Sequence, residues 1–135
     1  MKIALGLLLF VVFVGGAVRA QNPPAEYQGW MKSNAATMAD LNKNLAAKAA
    51  APIATDIRTL RENLAKIAIY WRVRNVDDGP KFALDADNAL AKIAQAAAAG
   101  RFDEASAAVK TVQANCAGCH MAHQVKAADG SFTIK

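Results

Sequence analysis

The sequence predicts an all-α protein folded as an antiparallel, up-down-up-down four-helix bundle. Three observations support this prediction. The chain beyond Pro24 is rich in alanine, the residue that most favours helices. Apolar residues recur there in four successive segments at heptad-like spacing, which places them on one face of each helix. The connections between the segments are short, as they are between antiparallel neighbours in a bundle, and no strand pattern is found.

The first two segments are predicted to form helices over residues 24–50 and from Pro52 onward. Proline suits the first turn of a helix because the amide hydrogen that it lacks would have no partner there. The stretch "NVDDGP" interrupts the apolar pattern and ends the second segment. The apolar faces comprise Tyr27, Met31, Asn34, Met38, Leu41 and Leu45 in the first helix and Ile53, Ile57, Leu60, Leu64, Ile67 and Trp71 in the second.

Gly100 separates the third and fourth segments and is expected to cap the third helix at its C-terminus. The third helix is predicted to start at Pro80 and the fourth near Phe102. Two acidic residues follow Phe102 in the first turn of the fourth helix, where the helix dipole favours carboxylates. The fourth helix is expected to continue about eight residues beyond His120, to "AADG". The apolar faces comprise Phe82, Ala86, Ala89, Ile93 and Ala97 in the third helix and Phe102, Ala105, Val109, Val112, Cys116, Cys119 and His123 in the fourth.

Residues 1–20 have the pattern of a signal peptide, with Lys2 before an apolar run and "VRA" before Gln21. Glycines and Arg19 interrupt the run, which disfavours an uncleaved membrane anchor. Cleavage after Ala20 would leave residues 21–135 as one exported domain. Contact with the membrane is expected only through the signal peptide, before it is removed. Without Lys2 and Arg19 the formal charge falls from +5 to +3. No basic run interleaved with aromatic residues indicates a nucleic-acid partner.

The stretch "NCAGCHMAHQ" contains every cysteine and histidine of the chain. The spacing C-x-x-C-H is typical of covalent haem attachment. In that interpretation the sulfurs of Cys116 and Cys119 form thioether bonds with the two haem vinyl groups, and His120 is the proximal iron ligand. Because Cys116 and Cys119 are three residues apart, both project from one side of a helix. Export agrees with this interpretation, since c-type haem is attached outside the bacterial cytoplasm. One haem c is therefore predicted.

Four other interpretations of the motif stay open from the sequence. A redox dithiol would be expected at a helix start in a βαβ unit, which this chain lacks. A disulfide between residues three apart in mid-helix would be strained. A zinc site could use Cys116, Cys119, His120 and His123, although structural zinc sites usually take ligands from two segments. The spacing could also occur by chance in an exported helical protein.

With the motif in its last predicted helix, the chain resembles the class II c-type cytochromes, the family of the cytochromes c prime and their low-spin relatives. The resemblance covers residues 24–128 and implies a four-helix bundle with haem bound near one end. The family motif often continues C-x-x-C-H-x-x-aromatic-Arg, whereas this chain has His123 and Gln124 at the last two positions. His123 projects from the same helix face as His120, which makes it implausible as a second iron ligand. A hydrogen-bonding role is therefore expected for it.

Met31 is the predicted distal iron ligand. In an antiparallel bundle the start of the first helix lies level with the end of the fourth, which places Met31 opposite His120. Met38 lies on the same face about 10 Å further along. Both methionines could instead simply fill the core. Low-spin members of the resembling family carry a helix-one Met ligand in a context like "MKxN", and "WMKSN" is similar. Residues expected to surround the haem are Trp30, Met38, Leu41 and Val112.

The function expected from these features is that of a periplasmic monohaem c-type cytochrome. Its iron, ligated by histidine and methionine, would carry single electrons by alternating between Fe(III) and Fe(II). The sequence shows no nucleophile–base pair and no phosphate-binding loop that would indicate an enzyme, so an enzymatic role is not expected. The partners would be redox proteins, with the cytochrome itself a monomer or homodimer. The alternative is a five-coordinate, cytochrome c prime-like protein that binds NO or CO; a further rival is a zinc-binding or purely structural bundle.

Overall fold

The computed structural model describes residues 21–135, so the expected signal peptide lies outside the described residues. Four helices account for most of this part of the chain, and each packs against the next in sequence order, as predicted. The first helix also contacts the fourth. The helices are α1 (Ala25–Ala46), α2 (Ala50–Arg72), α3 (Asp78–Ala98) and α4 (Phe102–His123).

The predicted apolar faces form the core, but they are not equally buried. All six predicted positions of α2 are buried. In α1, by contrast, Met31, Asn34 and Met38 are only half-buried, although Tyr27 is buried before them. The largest side chains that are fully buried are Trp71, Leu41, Ile53, Leu60, Leu90, Ile93 and Val112. Within residues 21–135 no helix combines the length and apolar character needed to cross a membrane.

Helices α1 and α3 end in the same way, although only one ends with glycine. Gly100 has φ +74°, its N–H donates to the Ala97 carbonyl, and the next amide donates to the Ala96 carbonyl. These two bonds form a Schellman motif and confirm the predicted cap. Helix α1 ends four residues earlier than expected, because Lys48 adopts the left-handed conformation with φ 54° and makes the corresponding bond to Leu45.

The C-terminal segment corrects the prediction that the chain contains no strands. Helix α4 ends at His123 instead of continuing to "AADG". It is followed by β1 (Gln124–Lys126) and β2 (Phe132–Ile134), which pair antiparallel through a turn centred on Ala128 and Asp129. Three-residue strands are too short to show a period of two. We call residues 124–134 the C-terminal hairpin.

Residues from the two ends of the described chain also pair. The N–H of Gln21 donates to the Ile134 carbonyl at 2.8 Å, and the Ile134 N–H donates to the Gln21 carbonyl at 2.9 Å. The N–H of Lys135 donates to the carbonyl of His123 at 3.0 Å. The hairpin is thereby joined both to the segment that precedes α1 and to the end of α4.

Candidate functional site

The three residues of the C-x-x-C-H motif differ in burial on the surface of α4. Cys119 is 8% exposed and belongs to the core, Cys116 is half-buried and His120 is exposed. Between the cysteines, Gly118 faces α3: a Cβ atom at this position would lie 2.7 Å from Cε1 of Phe82. The glycine therefore lets α4 approach α3 closely beside the motif. This contact could not be read from the sequence, because it joins residues far apart in the chain.

A cavity of about 340 Å³, here called the smaller cavity, adjoins the motif. Cys116, Cys119 and His120 line it from α4, and Met31 and Met38 line it from α1. Its walls from α2 and α3 are apolar and comprise Leu64, Ile67, Phe82, Ala83 and Ala86. Three amide side chains, Asn34, Gln113 and Asn115, also line it. All four residues predicted to bind haem thus border one predominantly apolar space.

The residues expected to surround the haem are only partly found there. Met38 lines the smaller cavity, but Trp30, Leu41 and Val112 line neither this cavity nor the one described next. Leu41 and Val112 are fully buried in the core. Trp30 packs edge-on against Tyr27, with ring centroids 6.1 Å apart. Leu64, Ile67 and Phe82 were predicted as core residues, and their place at the cavity could not be read from helical spacing alone.

A larger cavity of about 540 Å³ shares Met31, Cys119 and His120 with the smaller one. Its remaining walls contain more polar groups and come from the segment before α1, from α1, from the end of α2, from the end of α4 and from the C-terminal hairpin. They include Gln28, Lys32, Trp71, His123, Gln124, Ser131, Phe132 and Thr133. The two cavities therefore meet at the predicted iron ligands, one with apolar walls and the other with mixed walls.

The electrostatic environment keeps the thiols and the imidazole of the motif neutral. Burial raises the pKa of the Cys116 thiol, and it raises the pKa of Cys119 to about 11, with smaller contributions from Asp78 and Cys116. Reactive redox cysteines have the opposite property, a lowered pKa. Although His120 is exposed at the surface, the protein around its ring displaces part of the water, and this desolvation lowers its pKa. Its ring is therefore neutral near pH 7, the form in which histidine binds metals.

His123 makes the hydrogen bond that the sequence led us to expect. Its Nε2–H donates to Oδ1 of Asp78 at 2.9 Å. The ring also lies against Trp71, with centroids 4.6 Å apart. Trp71 in turn donates from Nε1 to the Tyr27 hydroxyl at 3.2 Å. These contacts connect all four helices beside the larger cavity.

The position of Trp71 depends on a close approach by the start of α3. A Cβ atom at Gly79 would lie 2.5 Å from Cγ of Trp71, so only glycine fits there without movement. Tyr70 packs edge-on against Trp71, and the centroids of the two rings are 5.3 Å apart. Its buried hydroxyl has no hydrogen-bond partner among the described residues. Both aromatic side chains are buried in the core, and Gly79 was not identified from the sequence.

Within the described part of the chain, no three His, Cys, Asp or Glu side chains come together in a group that could hold a metal ion. The four residues considered as zinc ligands therefore do not form such a group. Comparisons with protein-family models, with curated proteins and with solved structures found no match. The function is accordingly inferred from the residues of this chain and their arrangement.

Proposed function

We propose that this protein is an exported c-type cytochrome that binds one haem covalently and carries single electrons. One observation carries the proposal: Cys116, Cys119, His120 and Met31 all line the same apolar cavity. These are two thiols for covalent attachment and two candidate iron ligands from different helices. The volumes of the two adjoining cavities lie within the range of about 300–1,000 Å³ that is common for cofactor sites.

The donor atoms have the chemical form that haem attachment requires. A thiol adds to a vinyl group by bonding its sulfur to one carbon while its hydrogen goes to the other, so no oxidant or reductant is consumed. Cys116 and Cys119 are such thiols. The neutral imidazole of His120 offers a lone pair on one side, and the thioether of Met31 offers another from α1. Bound there, haem would supply an iron atom that exchanges single electrons between its ferric and ferrous states.

The proposal includes an antiparallel, up-down-up-down arrangement of the helices. Only three residues separate α1 from α2, five separate α2 from α3, and three separate α3 from α4. Connections this short favour antiparallel neighbours. Met31 lies near the start of α1 and His120 near the end of α4, so this arrangement brings the two to the same level. Their shared presence on both cavities supports the pairing.

A carrier role is preferred to an enzymatic one because both thiols, the imidazole of His120 and the thioether of Met31 would each have a task in holding the haem. Export, with the periplasm as the destination, follows from the signal-like N-terminus and from the place where c-type haem is attached. Redox proteins would be the partners, exchanging electrons with the haem.

The test is expression of the full chain together with a bacterial haem-maturation system. We expect the intact mass to show one attached haem and the dithionite-reduced protein to show a sharp α-band that carbon monoxide does not change. The variant carrying Cys116→Ala and Cys119→Ala is the matched control and should contain no covalent haem. Wild-type protein without haem after this expression would overturn the proposal.

A second candidate function is binding of NO or CO at a five-coordinate haem iron. It is favoured by the larger cavity, which begins at Met31 and His120 and extends beyond them toward the hairpin. Such a cavity could admit a small molecule to the iron if Met31 did not bind it. The same spectra decide between the two, since an open iron would give a broad high-spin spectrum that shifts at once with carbon monoxide.

A further inference from the structure

The two cavities differ in a way that matches the asymmetry of haem. The smaller cavity is bordered by both cysteines and mostly by aliphatic and aromatic side chains, together with the amides Asn34, Gln113 and Asn115 and no lysine or arginine. The larger cavity is bordered by Cys119 alone of the two, and by amide, hydroxyl and charged groups. Haem likewise has an edge with two vinyl groups, which form the thioethers, and an opposite edge with two carboxylates. This inference depends on the proposed function, since it concerns the same site.

The position of Cys116 fixes the orientation. Because Cys116 borders only the smaller cavity, the edge of the haem that carries the thioethers belongs there. Carboxylates are costly to bury among apolar groups without partners. The smaller cavity, walled largely by residues such as Leu64 and Phe82 and lacking a lysine or arginine, is thus less suited to them. The larger cavity has mixed walls that include Lys32, and it shares Met31 and His120 with the smaller one.

We propose that the C-terminal hairpin is the outer wall of the haem site and covers the carboxylate edge of the haem, with Lys32 as the cation that pairs with a carboxylate. Lys32 follows the candidate ligand Met31 and lines the larger cavity. Among the described residues no carboxylate forms a salt bridge with it. Asp129 also lines this cavity, but its carboxylate accepts hydrogen bonds from the N–H and hydroxyl of Ser131 within its own turn.

Phe132 provides a second, independent observation. It lines the larger cavity, yet 52% of its surface is exposed to solvent. A large apolar ring at the wall of a cavity is the kind of surface that a planar, apolar cofactor would cover. A two-stranded hairpin is at best marginally stable in water without further packing. The hairpin should therefore open less often when haem packs against Phe132.

Hydrogen exchange tests the hairpin without reference to electron transfer. We expect the hydrogen-bonded amides of Ala127, Gly130, Ile134 and Lys135 to exchange at least tenfold more slowly in the haem-carrying protein than in the Cys116→Ala, Cys119→Ala variant. Amides of α3 near Ile93, which borders neither cavity, serve as the reference for general stability. Wild-type chain produced without haem maturation is a second haem-free sample that keeps both thiols.

The outcomes separate this inference from the proposed function. Equal exchange of the hairpin amides in haem-carrying and haem-free protein would overturn the hairpin as a wall of the site, while the attached haem would still support a cytochrome. Slower exchange throughout the chain, with the α3 reference slowed as much, would overturn it as well. A wild-type chain that acquires no haem would overturn both proposals.

Lys32 is tested by the variants Lys32→Gln and Lys43→Gln, which remove the same charge from the same helix. Lys43 lines neither cavity. The bending bands of the haem carboxylates in the resonance Raman spectrum respond to their hydrogen bonding. We expect these bands to shift in Lys32→Gln and to stay unchanged in Lys43→Gln. Bands that are the same in Lys32→Gln and in the wild type would overturn the role of Lys32.

Discussion

Nε2 of His123 lies 2.9 Å from Oδ1 of Asp78, and this contact joins the last residue of α4 to the first residue of α3. The two partners differ in environment. The His123 side chain is 13% exposed and packs on Trp71, whereas the Asp78 side chain is 53% exposed. The carboxylate thus reaches from the surface to hold a largely buried ring. In this position His123 forms part of the wall of the larger cavity.

Replacing Asp78 by alanine should lower the free energy of unfolding by about 1 kcal/mol. The change removes a hydrogen bond worth about 0.5–1.5 kcal/mol and a favourable charge in the first turn of α3. Partial exposure of the pair keeps the effect small. Urea unfolding of the two proteins provides the measurement. Asp77→Ala is the matched control, because Asp77 is exposed and makes no side-chain hydrogen bond; an equal loss in that variant would contradict the prediction.

The thiols of the folded, haem-free protein should react slowly with iodoacetamide. With its pKa at about 11 instead of 9.0, Cys119 carries roughly a hundredfold less thiolate near pH 8 than an ordinary cysteine. Its rate should rise about tenfold for each pH unit until the pH approaches that pKa. Mass spectrometry after timed alkylation gives the rates.

The same raised pKa has a consequence for stability. Since the pKa of Cys119 is higher in the folded than in the unfolded protein, the contribution of its neutral thiol to the free energy of unfolding is complete below about pH 9. This contribution is lost as the pH rises toward 11.

Urea-unfolded protein is the control for the alkylation experiment and should show ordinary reactivity. Fast alkylation of the folded chain at neutral pH would show that the thiols are not buried as described.

Met31→Ala should convert the haem-carrying protein completely from low-spin to high-spin iron and allow it to bind carbon monoxide. The reason is that Met31 borders both cavities together with His120, whereas Met38 borders only the smaller one. Met38→Ala is thus the matched control and should keep the low-spin spectrum. Visible spectra of the reduced and oxidised proteins decide the question. A Met31→Ala spectrum identical to that of the wild type would remove Met31 from the iron.

Lys48→Gly should stabilise the protein by about 0.5–1 kcal/mol. Lys48 holds φ at 54°, a left-handed conformation that costs a residue with a Cβ atom about 1–2 kcal/mol, and glycine loses part of this gain through its greater freedom when unfolded. Lys43→Gly, within α1, should instead destabilise by about 1 kcal/mol. Thermal unfolding of both variants measures the opposite signs. Destabilisation by Lys48→Gly would contradict the account of the helix end.

The fold could be predicted from the sequence where local pattern decides the structure. The face of α2 was read correctly because six apolar positions from Ile53 to Trp71 follow without interruption. The half-buried stretch around Met31 and Met38 could not be anticipated, since exposure there reflects a cavity between helices. The C-terminal hairpin was missed because its three-residue strands are too short to show a period of two. The bridge between Gln21 and Ile134 could not be anticipated either, because it joins distant parts of the chain.

The candidate site shows the same division. Cys116, Cys119 and His120 are defined by adjacency in the chain, so their motif could be read directly. Met31 required an assumption about the direction of the helices, and its position on both cavities agrees with that assumption. The contribution of the hairpin, through residues such as Phe132, depends on tertiary packing and left no signal in the sequence.

The contact of Gly118 with Phe82 bears on which sequences of this motif can evolve. The two positions between the cysteines are conventionally treated as free, yet here they are not equivalent. Ala117 is exposed, whereas any side chain at residue 118 meets the ring of Phe82. Selection for haem attachment from a library randomised at both positions should accept many residues at 117 and favour glycine at 118. Any other residue at 118 would require the ring of Phe82 to move or residue 82 to become smaller.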